Sequence, residues 1–282
     1  MITNRLLSSS DFTTLHVCFA EAFSDYQVDM RMSAEQFAQR LKRDSVQLEL
    51  SAAAFDDDKM IGFYINGIGD WRGERTAYDA GTGVIPAFRK RGVAKDLFEF
   101  LVPRLKEASV MQYLLEVITT NTPAVELYRK VGFVDTRQLA VFRAEEQIEL
   151  VGKLRDVLIR RVEKPDWRLF ESFWDGYPSW QNSSAAVERV LDQTVVVGAY
   201  KDEHCVGYGV VFKPSTLLMQ LAVSPKHRRK GVGCSIVAAL QQEVEGVLKI
   251  NNVDEKMQAV VAFLEALGFK EVMKQFEMVK TL

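Results

Sequence analysis

Two segments of the chain carry one pattern. Residues 82–98 read Thr-Gly-Val-Ile-Pro-Ala-Phe-Arg-Lys-Arg-Gly-Val-Ala-Lys-Asp-Leu-Phe, and residues 221–237 read Leu-Ala-Val-Ser-Pro-Lys-His-Arg-Arg-Lys-Gly-Val-Gly-Cys-Ser-Ile-Val. Each places Val-x-Pro at the end of an apolar, strand-like run. Each then passes through a basic knot, Arg-x-x-Gly-x-Gly/Ala, into an amphipathic helix. The two arginines, Arg89 and Arg228, are 139 residues apart in a chain of 282. Similarity on so long a period means a duplicated domain and not a short solenoid repeat. A second pair of motifs follows the first: Asn121-Thr-Pro-Ala-Val-Glu-Leu-Tyr128-Arg-Lys-Val-Gly-Phe133, and Val261-Ala-Phe-Leu264-Glu-Ala-Leu-Gly-Phe269. Each half therefore reads strand, basic turn, helix, strand, helix, Gly-Phe, strand.

The knot has a chemical meaning. A helix start leaves backbone N–H groups unpaired and carries a partial positive charge. Gly92, Gly231 and Gly233 allow a ligand close to the backbone. With arginine and lysine beside it, such a turn suits a pyrophosphate. A solvated basic helix start would read the same way in a single copy; two copies behind the same Val-x-Pro argue for a function.

The joint pattern resembles the GNAT superfamily of acyl-CoA-dependent N-acyltransferases, here as a tandem pair. The family's Arg/Gln-x-x-Gly-x-Gly/Ala loop matches Arg89, Gly92 and Ala94, and again Arg228, Gly231 and Gly233. Its Asn-x-x-Ala-x-x-Leu-Tyr-x-x-x-Gly-Phe helix matches Asn121, Ala124, Leu127, Tyr128, Gly132 and Phe133. The second half departs from it: aligned on Gly268-Phe269, Leu264 stands at the tyrosine position and Met257 at the asparagine position. The resemblance implies an α/β (α+β) fold of two tandem domains. Each would hold a mixed, mostly antiparallel central sheet flanked by helices, with a splayed strand pair.

It also implies roles. The pyrophosphate falls to Arg89, Lys90, Arg91, Gly92, Val93 and Ala94, and in the second copy to Arg228, Arg229, Lys230, Gly231, Val232 and Gly233. Strand ends at Val84 and Val223 would give backbone groups to the pantetheine arm, Asn121 would bond that arm or a water, and Tyr128 would meet the sulfur as general acid. Acyl transfer also needs a neutral amine and an oxyanion donor. Asp79 and Glu116, on neighbouring strands, are the candidate bases; either can equally be a polar residue at a sheet surface. Phe23, Asp25 and Tyr26, after the first helix, would form the acceptor pocket in the first half, aromatics with one acid suiting a cationic amine. Ordinary core packing and loop solvation explain the same stretch.

The expected function is transfer of an acetyl group from acetyl-CoA to a primary amine of a small molecule or peptide, by direct attack in a ternary complex, with the first domain as catalyst. Two alternatives stay open: the second domain is the active one, or the protein is a non-catalytic acyl-CoA sensor.

Composition limits the rest. The chain is 48% hydrophobic and 26% charged with a net charge of −2, so it is globular and has no global attraction to nucleic acid. Cys18, Cys205 and Cys234 are odd in number and unpaired in spacing, which suggests reduced thiols in a cytoplasmic protein. His16, His204 and His227 fall in no metal-ligand spacing, so no metal is expected, and His16 reads as structural. No run is apolar enough for a bilayer. A monomer or homodimer is expected.

The pass along the chain gives domains at 1–145 and 156–282 with a charged linker at 146–155. In the first domain, helices fall at 11–23 and after the Ser33–Gln36 capping box. Strands fall at 47–56, 60–69 and up to Pro86. A helix then carries Val93, Leu97, Phe100 and Leu101 inward. A strand at 110–119, a helix at 122–131 and a strand at 133–143 close it. The second domain repeats this with helices near 166–174 and 184–191 and strands at 194–200, 205–213 and 216–223.

Overall fold

The alternation of strand and helix around each knot decides the architecture. A computed structural model of the chain describes residues 1–149 and 157–282. It divides into two units: unit 1 comprises Met1–Val117, Pro123–Thr136 and Glu277–Leu282, and unit 2 comprises Ile118–Thr122 and Arg137–Phe276. Most of the linker expected at 146–155, and the second-domain start expected near 156, lie outside the described residues.

The first repeat runs β1 (Ile2–Leu6), α1 (Phe12–Ala22), α2 (Ala34–Arg43), β2 (Ala52–Asp56), β3 (Lys59–Trp71), β4 (Glu74–Val84), α3 (Val93–Glu107), β5 (Gln112–Ile118), α4 (Thr122–Lys130) and β6 (Val134–Ala144). The second runs β7 (Leu158–Arg161), α5 (Trp167–Glu171), α6 (Ser184–Arg189), β8 (Thr194–Lys201), β9 (His204–Phe212), β10 (Leu217–Val223), α7 (Val232–Gln241), β11 (Lys249–Asp254), α8 (Gln258–Ala266) and β12 (Phe269–Thr281). Element for element, the order is the same. Residues 137–144 of β6 belong to unit 2, and residues 277–281 of β12 to unit 1.

In unit 1, β1 to β4 form an antiparallel meander, and β5 joins β4 in parallel. The β4–β5 ladder covers only Thr76–Tyr78 against Gln112–Leu114. Past that point the strands separate, which is the expected splay. One residue of β4, Ala80, is extra against β3, because Ile65 faces Gly81 and Asn66 faces Asp79. Such a bulge re-aims the strand beyond it. Unit 2 repeats the device. β7 to β10 are antiparallel, β11 pairs in parallel with β10 at Leu217 and Lys249, and Met219 is the extra residue against β9. Ala80 and Met219 are 139 residues apart, the offset of the two arginines.

Strand alternation fills both faces of the unit 2 sheet. Val195, Val197 and Ala199 pack with Ile236, Leu240 and Leu264, while Val196, Tyr208 and Val210 pack with Phe170, Val187 and Val190.

Several local expectations are corrected. The strand expected from residue 47 begins at Ala52: Ser51 Oγ donates to the Gln47 carbonyl at 2.8 Å and Leu50 N–H to the same carbonyl at 3.1 Å, curling 48–50 into a 3-10 turn. In α3 the buried aromatic is Phe98; Phe100 is half-buried under the Arg104 guanidinium, 3.5 Å from its ring. The short strands β1 and β7 were not expected, being brief and polar.

The β9 glycines let α7 lie against the sheet. A Cβ at Gly209 would sit 2.5 Å from Ile236 Cγ2 and 2.8 Å from Leu240 Cδ1. Gly209→Ala is expected to cost about 1–3 kcal/mol by overpacking, read as a lower urea midpoint at unchanged slope.

Candidate active site

The two basic knots adopt one geometry. Lys90 and Arg229 both have φ 60°, and Gly92 and Gly231 follow at 85° and 83° as the N-cap residues of α3 and α7. Repeated left-handed positions at a helix start gather backbone N–H groups into a concavity suited to an anion. Lys90 and Arg91 are exposed, with the Arg91 guanidinium 4.9 Å from the Phe88 ring. Val93 is buried and anchors the helix start, and Ala94 follows it, half-buried. In the second copy, Val232 is buried in the same way, while Lys230 Nζ donates to the Lys226 carbonyl at 2.9 Å.

The knot arginines bond acceptors of their own chain. Arg89 Nε donates to the Val84 carbonyl at 3.1 Å, and Nη2 to the Ala22 carbonyl at 2.8 Å. Nη1 and Nη2 hold the Asp25 carboxylate, both at 2.7 Å. Arg228 does the same with Val223 at 2.8 Å, Phe173 at 3.0 Å and Asp175 at 2.8 Å. The guanidinium partner holds the Asp25 carboxyl below the usual carboxylate range. Asp25 thus meets the knot, while Phe23 and Tyr26 on either side pack edge to face at 5.2 Å.

Other residues of unit 1 meet where the β4–β5 ladder ends. Asp79, on β4 beside the bulge, accepts from Gly81 N–H at 2.9 Å and from Thr82 Oγ1 at 2.7 Å; the Tyr128 hydroxyl approaches it at 3.4 Å. Burial pushes the Asp79 carboxyl up to about 6, against the pull of Thr82, Gly81, Tyr128 and the Arg40 charge. Burial and the Asp79 charge also push the Tyr128 phenol well above its ordinary value, with Tyr26 near enough to add to the effect. A carboxyl that titrates near neutrality beside a phenol is a proton-handling pair.

Glu116 lies on β5 and accepts from the Tyr78 hydroxyl at 3.0 Å. Asn121 sits in the turn before α4, where its N–H donates to the Ile118 carbonyl at 2.9 Å; it belongs to a segment of unit 2.

Residue spacing alone did not reveal Thr82 or Arg40. Arg40 Nη2 donates to the bulge carbonyl of Ala80 at 2.9 Å, and Arg43 pairs with the fully buried Asp44 at 2.7 Å. The signal was present: Phe37, Arg40 and Asp44 fall at i, i+3 and i+7, so the charged residues share the buried Phe37 face of the helix.

Unit 2 is built on the same lines with other chemistry. A cavity of about 650 Å³ opens between β10 and β11, lined by Trp174, Met219, Gln220, Asn251, Phe263 and the 228–233 loop among others. Leu218 stands where unit 1 has Asp79, Leu221 where it has Thr82, and Leu264 where it has Tyr128; Asn251 and Asn252 occupy the Glu116 region. Gln220 Nε2 donates to the Asn182 carbonyl at 2.7 Å, and Asn182 Nδ2 to the Asn251 carbonyl at 2.8 Å, so neutral amides span the splay. Among the described residues, no cluster of three or more His, Cys, Asp or Glu could hold a metal ion, and no helix is long and apolar enough to cross a membrane.

Comparison with known proteins agrees with this arrangement. A family model described as "Acetyltransferase (GNAT) family" matches residues 12–133, and one described as "Acetyltransferase (GNAT) domain" matches 192–271. Together they span well over half of the chain. The chain belongs to the GNAT family, as a tandem member. A solved tandem GNAT protein from the clavulanic acid biosynthesis pathway is 13% identical, with a TM-score of 0.79 covering 100% of this chain and 98% of that one. A GCN5-related N-acetyltransferase from Sphaerobacter thermophilus is 12% identical, with a TM-score of 0.74 over 99% of this chain and 95% of that one. These likenesses establish the fold. An N-alpha-acetyltransferase MAK3 of Arabidopsis thaliana is 30% identical over 91 residues, which are 32% of this chain. The matched stretch spans about half, 48%, of that relative's length. GNAT acetyltransferases take their acyl group from acyl-CoA and pass it to an amine.

The Asp79 environment makes a measurable claim. The carboxyl should titrate near 6 in a ¹³C NMR experiment, and Thr82→Val, by removing a donor to the ionised form, should move the midpoint higher. Because the folded value lies above the unfolded reference of about 3.9, this group favours the fold below that pH. Its contribution is lost as pH rises through about 6.

Proposed function

We propose that unit 1 transfers an acetyl group from acetyl-CoA to a primary amine by direct attack in a ternary complex. The carrying observation is the Asp79–Tyr128 pair placed at the mouth of the β4–β5 splay, at 3.4 Å, on the strand that leads into the Lys90–Ala94 concavity. The backbone N–H groups there, with Lys90 and Arg91, would hold the pyrophosphate. Ionised Asp79 would take a proton from the ammonium, directly or through a water, freeing the lone pair for attack on the thioester carbonyl. As the tetrahedral intermediate collapses, the C–S bond breaks, Tyr128 gives its proton to the departing thiolate, and the second proton of the nitrogen passes through water to replace the one Tyr128 has given up. A raised phenol pKa suits hydrogen bonding to the thiolate concerted with departure. The likeness to an N-alpha-acetyltransferase supports a peptide amine among the acceptors. Glu116, bonded to Tyr78, is the second choice for the base. Three free thiols fit a cytoplasmic setting.

A second reading rests on the cavity of about 650 Å³ in unit 2, which would hold an acyl-CoA either for transfer there or for sensing. Replacement of the Asp79, Thr82 and Tyr128 positions by leucines weighs against transfer. Thiol release from acetyl-CoA with a panel of amines and short peptides separates the readings. Gly92→Glu should abolish turnover and Gly231→Glu should largely preserve it; the reverse result places catalysis in unit 2, and no turnover with any amine favours the sensor.

Positioned general acids contribute roughly 100- to 10,000-fold. Tyr128→Phe should lower kcat toward the smaller figure with acetyl-CoA affinity retained. For the wild type, kcat/KM should rise with pH through an inflection near 6, and Asp79→Asn should lose that inflection. A Tyr128→Phe enzyme with full kcat, where chemistry limits the rate, removes Tyr128 from the mechanism.

A further inference from the structure

The knot arginines are placed to couple two loops. In both units the guanidinium ties three pieces of chain together. These are the end of the strand that leads into the knot (Val84, Val223), a carbonyl of the preceding helical segment (Ala22, Phe173), and an acid just beyond it (Asp25, Asp175). Four hydrogen bonds from Arg89 and three from Arg228, on the same three kinds of partner in both repeats, make coincidence a poor explanation. A guanidinium has five N–H donors in a fixed fork. With Nε and both terminal nitrogens of Arg89 occupied by protein acceptors, the phosphate charge is left to the backbone N–H groups and to Lys90 and Arg91. Asp25 sits between Phe23 and Tyr26, the aromatics of the candidate acceptor pocket. One ion pair therefore joins the coenzyme loop to the acceptor loop.

We propose that Arg89 is a positioning residue, and that through Asp25 it transmits occupancy of the coenzyme loop to the acceptor-side segment 23–32, with Arg228 and Asp175 forming the same coupling in unit 2. The inference rests on reading residues 89–94 as the coenzyme loop. Physically, a ligand that fixes the knot fixes the Arg89 backbone, and the fork then restrains the carboxylate on the other loop. Such coupling is reciprocal, so ordering of 23–32 by an acceptor would tighten coenzyme binding. The pair is partly exposed, with Arg89 at 40% and Asp25 at 54%, so its removal should leave the fold intact.

Hydrogen exchange on the full chain with and without acetyl-CoA tests this without a known acceptor. In the wild type, acetyl-CoA should slow exchange in both 87–95 and 23–32. In Arg89→Gln, Asp25→Asn and the double variant, protection of 87–95 should persist while protection of 23–32 is lost, with the double variant no worse than either single. Melting temperatures verify folding, and Arg228→Gln with Asp175→Asn, read on 173–178, repeats the test in unit 2. Protection of 23–32 that survives in the variants, or is missing from the wild type, overturns the coupling. So does a tenfold loss of acetyl-CoA affinity in Arg89→Gln that Asp25→Asn does not share, which would make the guanidinium a phosphate ligand. If the wild type shows no protection of 87–95, the coenzyme-loop reading has failed, and the coupling falls with it.

Discussion

The structure of unit 1 turns on where β4 and β5 stop pairing. A strand that leaves its neighbour has backbone groups to satisfy, and buried groups of that kind are rarely left without partners. Beyond Tyr78 these partners are side chains. Arg40 takes the Ala80 carbonyl, the Asp79 carboxylate takes the Gly81 N–H, and Arg89 takes the Val84 carbonyl. Three functional-looking side chains thus begin as solutions to a backbone problem. The Asp79 carboxyl is raised because that solution draws it away from water. The open strand pair and the bulge on its other side together set the surroundings of Asp79 and Tyr128.

Duplication lets the scaffold be separated from the chemistry. What recurs at the 139-residue offset is structural: the bulge at Ala80 and Met219, the arginine fork, and the left-handed positions in the knot. What differs lies along the cleft. Asp79, Thr82 and Tyr128 give way to Leu218, Leu221 and Leu264, and the charged Arg40 that meets the bulge carbonyl in unit 1 has a neutral amide chain as its counterpart in unit 2. A leucine can fill the space of these groups but can neither accept nor donate a proton. The second cleft therefore keeps the bulge and the left-handed turn while leucines stand in place of the titratable side chains.

Much of this was legible because the signals were local. A knot fixed by glycines and flanked by Val-x-Pro can be read from seventeen residues, and the Gly-Phe frame gives Tyr128 its place on a helix. The strand run carrying Asp79 was also visible, though its bulge was not, since an extra residue shows only against the facing strand. Arg40 matters through the Ala80 carbonyl on another element, and Thr82 through the Asp79 carboxylate three residues back on the bulged strand, a contact that alternation along a regular strand does not suggest. Asp25 was legible as an acid among aromatics, but its ion pair with Arg89 spans 64 positions, and no spacing rule connects them.

Similarity in sequence groups residues by repeat, whereas packing groups them by contact, and the two groupings differ at the last strand of each repeat. Most of β6 packs in unit 2, where Leu139–Arg143 pairs antiparallel with Lys249–Asp254, while the end of β12 packs in unit 1. There the Thr136 hydroxyl donates to the buried Glu277 carboxylate at 2.9 Å, and Leu282 N–H donates to the Met111 carbonyl at 2.9 Å. An alternating strand presents the same pattern whichever neighbour it joins, because side-chain alternation reports which face is buried and says nothing of the edge. Strand partnership is a property of the whole chain, so a motif-based reading recovers the knots and the helices while leaving the closing strands undetermined.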